Sequence, residues 1–452
     1  MTKLWAKGYT SAKAIENYEA GRNADLDKDL ARSDIWGTMA HSRMLYSIGI
    51  LAYDEWSVLH AALQALLKEA ETTGLAPQQA EEDIHTLIEN RLTQKLGAIG
   101  EKVHTGRSRN DQVLTDIRLY TKERLPEIAL AALNAGAAFT AFAQKYEWIA
   151  MPGYTHMQRA MLSSVGLWAA SFAEALLDDL LMLESAFALT DQSPLGSAAA
   201  YGAPLPLDRA LTAKLLGFSA ISRNTLTAAN SRGKFEAAVT QCLALIMVDL
   251  SKFAQDLLLF TTKEFDFMSV DQELCSGSSI MPQKKNLGAM EILRARTHLV
   301  TAYQSAMLGI ISGLPSGYNM DYQETKAPLF ESLHICAESL DVVTLFIEHT
   351  HIHEQKLAAA CDPELFAADR ALDMAAKGAP FRSAYREVAA HLGGETTDDL
   401  AAALKKRNHI GGPGALDLEN LTVRIAEQRT KWTEKQTLFA NAIAALVALT
   451  GK

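Results

Sequence analysis

One stretch of the sequence, from Ser276 to Asn286, carries residue types that can act on a charged small molecule. It reads Ser-Gly-Ser-Ser-Ile-Met-Pro-Gln-Lys-Lys-Asn. One interpretation is a flexible Gly–Ser loop followed by solvated lysines. The other is a hydroxyl base beside lysines, an amide and the start of a helix. Such groups bind a carboxylate and lower the cost of a serine alkoxide. The second interpretation predicts an anion-binding loop with a candidate base.

A second segment, residues 101–112, leads into a helix. Ser108 and Asn110 are suitable N-caps, and capping alone would explain those two residues. Capping does not explain the other residues gathered at this turn, which are His104, Gly106, Arg107 and Arg109. Guanidinium groups in such a cluster favour a polar pocket for an anionic small molecule.

Two further segments add polar groups. Residues 151–158 contain His156 just ahead of another long helix, although a single histidine is more often structural than catalytic. A Gly/Pro turn at residues 313–317 is followed by donors at roughly helical spacing, namely Tyr318, Asn319, Gln323 and Lys326. These donors suit a carboxylate, and a solvated helix start would use the same residue types.

A metal site is the competing interpretation of the run Glu348-His-Thr-His-Ile-His353. His349 and His353 are four residues apart, a spacing that can bind zinc on a helix. No glutamate stands between them as in the HExxH pattern, and no distant third ligand is evident. The run therefore favours a polar helix end.

Long helices must position these segments. No Gly or Pro occurs between Gly233 and Gly277, and residues 236–260 are predicted to form one helix. Its apolar residues cover more than one stripe, so it should be buried on most sides. At 1.5 Å per residue its 25 residues span roughly 37 Å.

Four other stretches poor in Gly and Pro complete a predicted central bundle of about five helices. They are residues 110–148, 167–193, 289–308 and 329–362. The exposed apolar surface of such a bundle predicts an oligomer interface, or else a monomer covered by its own end domains. No alternating strand pattern is long enough to support a sheet. The predicted class is all-α, with regions 1–105, 106–355 and 356–452.

Composition excludes several functions. The 452 residues include 43 Lys and Arg against 53 Asp and Glu, a net charge of −10. This balance argues against coating nucleic acid or docking on anionic membranes. Four dispersed cysteines without a CxxC pair argue against a disulfide scaffold or zinc ribbon. With no apolar signal core at the start, the sequence predicts a soluble cytoplasmic protein.

The run Gly277–Asn286 resembles the signature of the aspartase/fumarase superfamily. Residues 104–113, 378–385, 82–85 and 318–326 are similar to the argininosuccinate lyase family rather than to adenylosuccinate lyases or aspartases. The resemblance implies three helical domains, with a twenty-helix core in a homotetramer and active sites shared by three subunits. It also implies elimination of fumarate from argininosuccinate to give arginine, the last step of arginine biosynthesis, without a metal or organic cofactor.

The resemblance also assigns roles. Ser278 matches the base, and Lys284 and Asn286 match groups that stabilise the carboxylate dianion formed when it removes a proton. His156 matches the histidine linked to proton delivery to the leaving nitrogen, and Glu291 the carboxylate that orients it. Further substrate-binding positions are matched by Ser108, Arg109, Asn110, Thr155, Asn286, Tyr318, Gln323 and Lys326. His85 matches another site histidine, and Asn23 stands where the family has a serine holding the amino-acid end.

The chain departs from the family pattern at three motifs. Arg159-Ala-Met-Leu162 replaces Arg-Ala-Gln-Pro, Leu287-Gly288 replaces Pro-Asp, and residues 230–235 replace Ser-Asp-Arg-Asp-Phe. The departures avoid the proton-transfer residues, but they leave a related N-substituted aspartate open as the substrate. A structural, non-enzymatic homologue, as in lens δ-crystallins, is disfavoured because His156, Ser278 and Lys284 are kept.

Overall fold

The computed structural model describes residues 12–77, 81, 83–393 and 399–450, without the side chains of Asn17, Asn23 and Ala24. Its first part consists of helices joined by short 3₁₀ turns at Lys28–Leu30 and Lys102–His104. These helices are α1 (Lys13–Ala20), α2 (Asn23–Asp27), α3 (Ala31–Ser47), α4 (Tyr53–Thr72), α5 (Ile84–Leu96) and α6 (Ala98–Glu101).

Long helices form the centre of the protein. In chain order the central elements are α7 (Arg109–Lys145), β1 (Ala150–Thr155), β2 (Gln158–Ser164), α8 (Val165–Thr190), β3 (Gln192–Ser193), α9 (Arg209–Leu215), β4 (Ala220–Ile221), α10 (Thr225–Asn230), α11 (Lys234–Phe260), β5 (Met268–Val270), α12 (Gly288–Ile311), α13 (Lys326–Glu348) and β6 (Thr350–Ile352). The strands pair in twos: β1 with β2 and β5 with β6 antiparallel, and β3 with β4 parallel.

The remaining helices follow β6. They are α14 (Glu354–Ala360), α15 (Ala367–Ala376), α16 (Phe381–Ala390), α17 (Leu400–Lys405) and α18 (Leu418–Val447). The long helix α18 returns to the centre, where Trp432 packs edge-on against Phe187 of α8, with ring centroids 5.7 Å apart.

Aromatic packing fixes three of the long helices against one another. Phe139 of α7, Phe172 of α8 and Phe253 of α11 meet with ring centroids 5.0–5.6 Å apart. Edge-on and stacked aromatic pairs of this kind stabilise a core beyond the area they bury. Most of the apolar window of α7, which is long enough to cross a membrane, is likewise buried inside the protein.

The bundle has two ends, which matter for the site. At the first, Arg118 near the start of α7 donates to the carbonyl of Thr190 at the end of α8 (3.0 Å) and to Oγ of Ser231 before α11 (2.8 Å). At the second, the ring centroid of Phe260 at the end of α11 lies 6.1 Å from that of Trp168 near the start of α8. We call these the Arg118 end and the Phe260 end.

The predicted class and central bundle are confirmed, with changes in detail. The helix predicted over 236–260 spans Lys234–Phe260 because Gly233, at a φ of 79°, turns the chain into it. The stretch 329–362 does not form one helix, since α13 ends at Glu348 and β6 follows. Three short two-stranded ladders also form, which the sequence did not predict because it contains no long alternating strand pattern. The boundaries at 105 and 355 remain predictions.

Candidate active site

A cavity of about 210 Å³ lies at the Arg118 end. Five predicted substrate-binding residues line it, brought there by the start of α7 and by the segment leading into α13: Arg109, Asn110, Tyr318, Gln323 and Lys326. The cavity is also lined by Glu19, Asp27, Asp83 and Arg232, which the sequence did not single out. Cations and carboxylates therefore face the same space.

The start of α7 supplies the first side of the cavity. Ser108 is the N-cap: its hydroxyl accepts from the backbone N–H of Asn110 (3.3 Å), and its own N–H donates to Asp111 (2.9 Å). Ser108 thus serves the helix and does not line the cavity. Arg109 donates to Oγ of Thr86 (2.8 Å) and lies 3.4 Å from the Asp83 carboxylate. These contacts from the start of α5 fix the guanidinium.

The start of α13 supplies the second side. The Lys326 ammonium forms an ion pair with Oδ1 of Asp27 at 2.5 Å, and both side chains are buried. The other oxygen of Asp27 accepts from the backbone N–H of Ile84 at 3.3 Å. Asp27 therefore connects Lys326 to the start of α5, the helix whose Thr86 holds Arg109.

Arg232, buried ahead of α11, supplies a third cation. It donates to the backbone carbonyl of Tyr322 (3.2 Å), and its guanidinium carbon lies 5.5 Å from the Tyr318 ring centroid and 5.9 Å from that of Tyr322. Its Nε has no hydrogen-bond partner within the described ranges. A buried guanidinium at a cavity wall suits an anionic ligand group.

His85 and Arg107 lie outside the cavity, in a buried cluster with Asp34 and Asp116. His85 Nδ1 bonds to Asp34 and lies 3.6 Å from Asp116. Burial opposes the charge of His85, but the Asp34 carboxylate outweighs it and raises the pKa of His85 to about 9. Burial and the nearby Asp34 raise the pKa of Asp116 well above its usual value. The cluster thus favours a protonated His85 beside an ionised Asp34 and disfavours a second negative charge on Asp116.

The same cluster is the one group in the described part of the chain whose His and Asp atoms could surround a metal ion. Ligand atoms of Asp34, His85 and Asp116 lie within 4.8 Å of one another. Arg107 faces both carboxyls and donates to Thr38 (3.0 Å). Since the guanidinium repels a cation and His85 Nδ1 is bonded to Asp34, the arrangement fits a buried polar support.

The serine loop, residues 276–286, lies at the Phe260 end between β5 and α12. Its stems are closed by two backbone hydrogen bonds between Ser276 and Asn286, each 2.9 Å long. Inside it, Oγ of Ser278 accepts from the backbone N–H of Met281 (3.1 Å) and of Ile280 (3.4 Å). Backbone donors directed at this oxygen favour its anionic form. Lys284 is exposed and the Asn286 side chain is half-buried.

The β1–β2 hairpin carries the candidate histidine at the same end. Thr155 ends β1, and His156 and Met157 form the turn with φ of 52° and 62°. This left-handed backbone costs about 1 kcal/mol or more per residue. It leaves the imidazole at an exposed tip. Tyr154, whose ring lies 6.4 Å from that of Phe260, anchors the hairpin to the bundle. Glu291 is exposed in the first turn of α12.

The predicted site residues thus fall into two groups at opposite ends of the bundle. The cavity lies at the start of α11, while the serine loop and the hairpin lie at its end. The 27 residues of α11 span roughly 40 Å, so a single chain does not bring Ser278 or His156 to the cavity. A site that uses both groups needs at least two copies of the chain. The side chain of Asn23 lies outside the described residues.

A family model described as lyase matches residues 12–301, which places this helical fold with its divided site in a class of lyases. The chain is 39% identical over 423 residues to the argininosuccinate lyase of Sorangium cellulosum, covering 94% of this chain and 98% of that one. It is 38% identical over 393 residues to that of Thermotoga neapolitana, covering 87% and 99%. The chain therefore belongs to the argininosuccinate lyase family.

Solved structures agree with this fold. An EDDS lyase in complex with formate matches with a TM-score of 0.83 and 22% identity, covering 97% of this chain and 96% of that one. A class II fumarase from Schistosoma mansoni matches with a TM-score of 0.70 and 14% identity, covering 98% and 96%. These likenesses concern the fold.

Sequence patterns missed Asp27, Asp83 and Arg232. In the sequence, Asp27 and Asp83 look like residues that begin a helix. Asp83 does cap α5, where its carboxylate accepts from the backbone N–H of Thr86. Arg232 stands in a run that departs from the family pattern. Burial of a charged side chain is the signal that could have identified Asp27 and Arg232, but their burial becomes evident only once the helices are packed together.

Proposed function

We propose that this protein is an argininosuccinate lyase, which eliminates fumarate from argininosuccinate and releases arginine. The observation that carries the proposal is the near full-length relationship to argininosuccinate lyases. The two-part site supports it, because Ser278 lies in an amide-lined loop and the cavity presents both cations and carboxylates. Such a cavity suits a substrate that has carboxylates at one end and a guanidinium and an ammonium at the other.

We assign substrate binding to the cavity and to the segments of other subunits that would adjoin it. Asn110, Tyr318, Gln323 and Lys326 hold the amino-acid end, with Arg109 fixing the wall and Asn23 taking the place of a serine. Glu19 and Asp83 line the same space and balance its positive charge. Thr155 and Ser108 complete the predicted binding positions, Ser108 acting through the helix that it caps.

In the proposed reaction, the Ser278 alkoxide removes a proton from the succinyl carbon next to a carboxylate. The electron pair delocalises into that carboxylate as a dianion, which Lys284 and Asn286 stabilise. The bond between the other succinyl carbon and the guanidino nitrogen then breaks, and the electron pair forms the double bond of fumarate. His156, oriented by Glu291, delivers a proton to the leaving nitrogen. No metal or organic cofactor enters these steps.

A homotetramer with a twenty-helix core is part of the proposal. The central helices carry exposed apolar side chains that a second copy can cover: Leu181, Val248, Ile292, Leu299, Leu308 and Leu345. Exposed apolar side chains on several central helices favour association, and the separated site requires it. Each active site then takes its cavity, hairpin and serine loop from three subunits.

We also propose three structural regions, 1–105, 106–355 and 356–452, and a cytoplasmic location. Four free cysteines suit a reducing compartment. His85 is assigned a supporting role beneath the cavity rather than contact with substrate, because it is buried against Asp34.

The test is release of fumarate, followed by its ultraviolet absorbance, from purified protein given argininosuccinate, adenylosuccinate or aspartate in parallel. Argininosuccinate alone should be cleaved. Ser278→Ala should lower kcat by about a thousandfold or more, as expected for removal of a base, and leave the oligomer intact. Ser279→Ala, one residue along, is the control and should retain most activity. Cleavage of another substrate instead, or near wild-type activity of Ser278→Ala, would contradict the proposal.

A further inference from the structure

A carboxylate lies between two histidines at the foot of the serine loop. Asp271 directly follows β5, and His349 and His351 flank one residue of β6. Oδ2 of Asp271 accepts from Nδ1 of His349 at 2.8 Å, and Oδ1 accepts from Nε2 of His351 at 2.8 Å. An ionised carboxylate can only accept, so each imidazole carries a proton on the nitrogen that faces Asp271.

Backbone contacts carry this arrangement to the serine loop. The N–H of Asp271 donates to the carbonyl of His349 (3.2 Å), and the carbonyl of Asp271 accepts from the N–H of Leu274 (3.1 Å) and weakly from Cys275 Sγ (3.6 Å). Cys275 directly precedes Ser276, whose backbone pairs with Asn286 to close the loop. One stem of the loop thus ends on Asp271, seven residues before Ser278.

The other stem is fixed independently, because Leu287 is buried and the next residue begins α12. Inside the loop, Gly277 has no neighbouring atom close enough to contact an added Cβ, and Ile280 is 82% exposed. The loop therefore has little packing of its own, and its position depends on its two feet.

We infer that His349 and His351 are positioning residues for the Ser278 loop, holding it through Asp271 in the geometry needed for proton removal. The inference rests on the proposed role of Ser278 as base. Neither histidine touches substrate in this arrangement. Both act on Ser278 through the foot of its loop, and a base displaced by about 1 Å loses on the order of a hundredfold in rate.

We define this clamp as Asp271 with His349 and His351, and protonation of His349 strengthens it. His349 also faces Glu273, 4.0 Å away, and Glu348 at the end of α13. The hydrogen bond to Asp271, followed by these charges, raises the pKa of His349, while the two histidines lower the pKa of Asp271. The pair of Asp271 and His349 is therefore ionised at pH values between the pKa values of these two groups, and it weakens as pH rises through that of His349.

The decisive experiment compares two kinds of histidine replacement in the full-length protein. His349→Asn with His351→Gln keeps an amide donor near each ring nitrogen that faces Asp271 but cannot ionise. His349→Ala with His351→Ala removes both donors. His334→Gln is the matched control, since His334 is an exposed histidine of α13 paired with Glu338 (3.2 Å), away from the serine loop.

Two readouts are taken: hydrogen exchange of the peptides covering residues 272–286, measured by mass spectrometry from pH 6 to 9, and kcat and KM for argininosuccinate. The alanine pair should exchange faster in this segment and lose about tenfold in kcat, with KM changed less than about twofold. The amide pair should keep kcat within about threefold of wild type, and its exchange should lose the pH dependence caused by imidazole ionisation. The control should match wild type in both readouts.

Hydrogen exchange does not require turnover, so it separates the two hypotheses. If wild type is inactive while the alanine pair still loosens residues 272–286, the proposed function is wrong and the clamp stands as a structural contact. If wild type is active and both variant pairs retain its kcat and its loop exchange, the positioning role is wrong. Should the alanine pair misfold, the amide pair decides, since unchanged pH dependence of exchange overturns the inference.

Discussion

Asp27 and Lys326 form a buried ion pair beside the cavity, and its loss should be one of the most damaging single changes outside the reacting groups. Asp27 is 1% exposed and Lys326 is 3% exposed, at an N–O distance of 2.5 Å. Replacing Asp27 by Asn keeps the size but removes the charge that compensates the ammonium. An uncompensated buried charge costs about 3–5 kcal/mol.

The free energy of unfolding should therefore fall by about 3–5 kcal/mol in Asp27→Asn. Urea unfolding followed by far-ultraviolet circular dichroism measures it, at one protomer concentration because assembly shifts apparent stability. Glu331→Gln is the matched control. It breaks the exposed pair between Arg22 and Glu331 (3.6 Å), whose loss should cost less than about 1 kcal/mol.

A double variant tests the reasoning further. Replacing Lys326 by Met in the Asp27→Asn background removes the orphaned ammonium, so part of the lost stability should return. Activity should not return, because Lys326 is a proposed substrate-binding residue. The buried-charge argument would be refuted if Asp27→Asn lowered the unfolding free energy no more than Glu331→Gln does. It would also be refuted if the double variant lost as much stability as the two single variants together.

Three further results are expected. Co-expressed Ser278→Ala and Asn110→Ala chains should regain up to about a quarter of wild-type activity, because mixed oligomers rebuild some sites from intact parts. Each variant purified alone gives the baseline activity. A mixture no more active than these baselines would contradict a shared site. The unfolding free energy should fall by about 3 kcal/mol between pH 6.5 and 9, since the raised pKa of His85 stabilises the fold below that range; His85→Gln should flatten this pH dependence, measured by urea unfolding. Arg232→Lys should raise KM about tenfold while exposed Arg223→Lys leaves it unchanged, because lysine lacks the planar fork that stacks beside Tyr318.

The long helices could be predicted because their signal is local. A stretch without Gly or Pro and with apolar residues on several faces specifies a buried helix wherever its neighbours lie. The hairpin at residues 150–164 could not be predicted in this way. Its first strand contains Pro152 and Gly153, which weaken strand propensity. It is held partly by Tyr154 against Phe260, a contact between residues more than one hundred positions apart.

The site shows the same limit. Residue types and a family resemblance indicated Arg109, Tyr318 and Lys326, and the structure brings them to one cavity. Asp27 escaped notice because its partner Lys326 lies 299 residues away in sequence. His85 was assigned to the site by the family resemblance and Arg107 by its residue type, but long-range packing places both in a buried cluster behind the cavity.

The contacts that stabilise each half of the site differ from the contacts that would bring the two halves together for catalysis. The cavity is held by contacts among α2, α5, α7 and α13 at the Arg118 end, and the serine loop by the β5–β6 ladder at the Phe260 end. Neither half needs the other for its local structure, because roughly 40 Å of α11 separates them. The proposed mechanism needs both halves, and we propose that the exposed apolar side chains of α8, α11, α12 and α13 form the surfaces through which copies bring the halves together. A change on those faces, such as one at Leu299, would therefore remove activity by preventing assembly while every proposed catalytic residue remained in place.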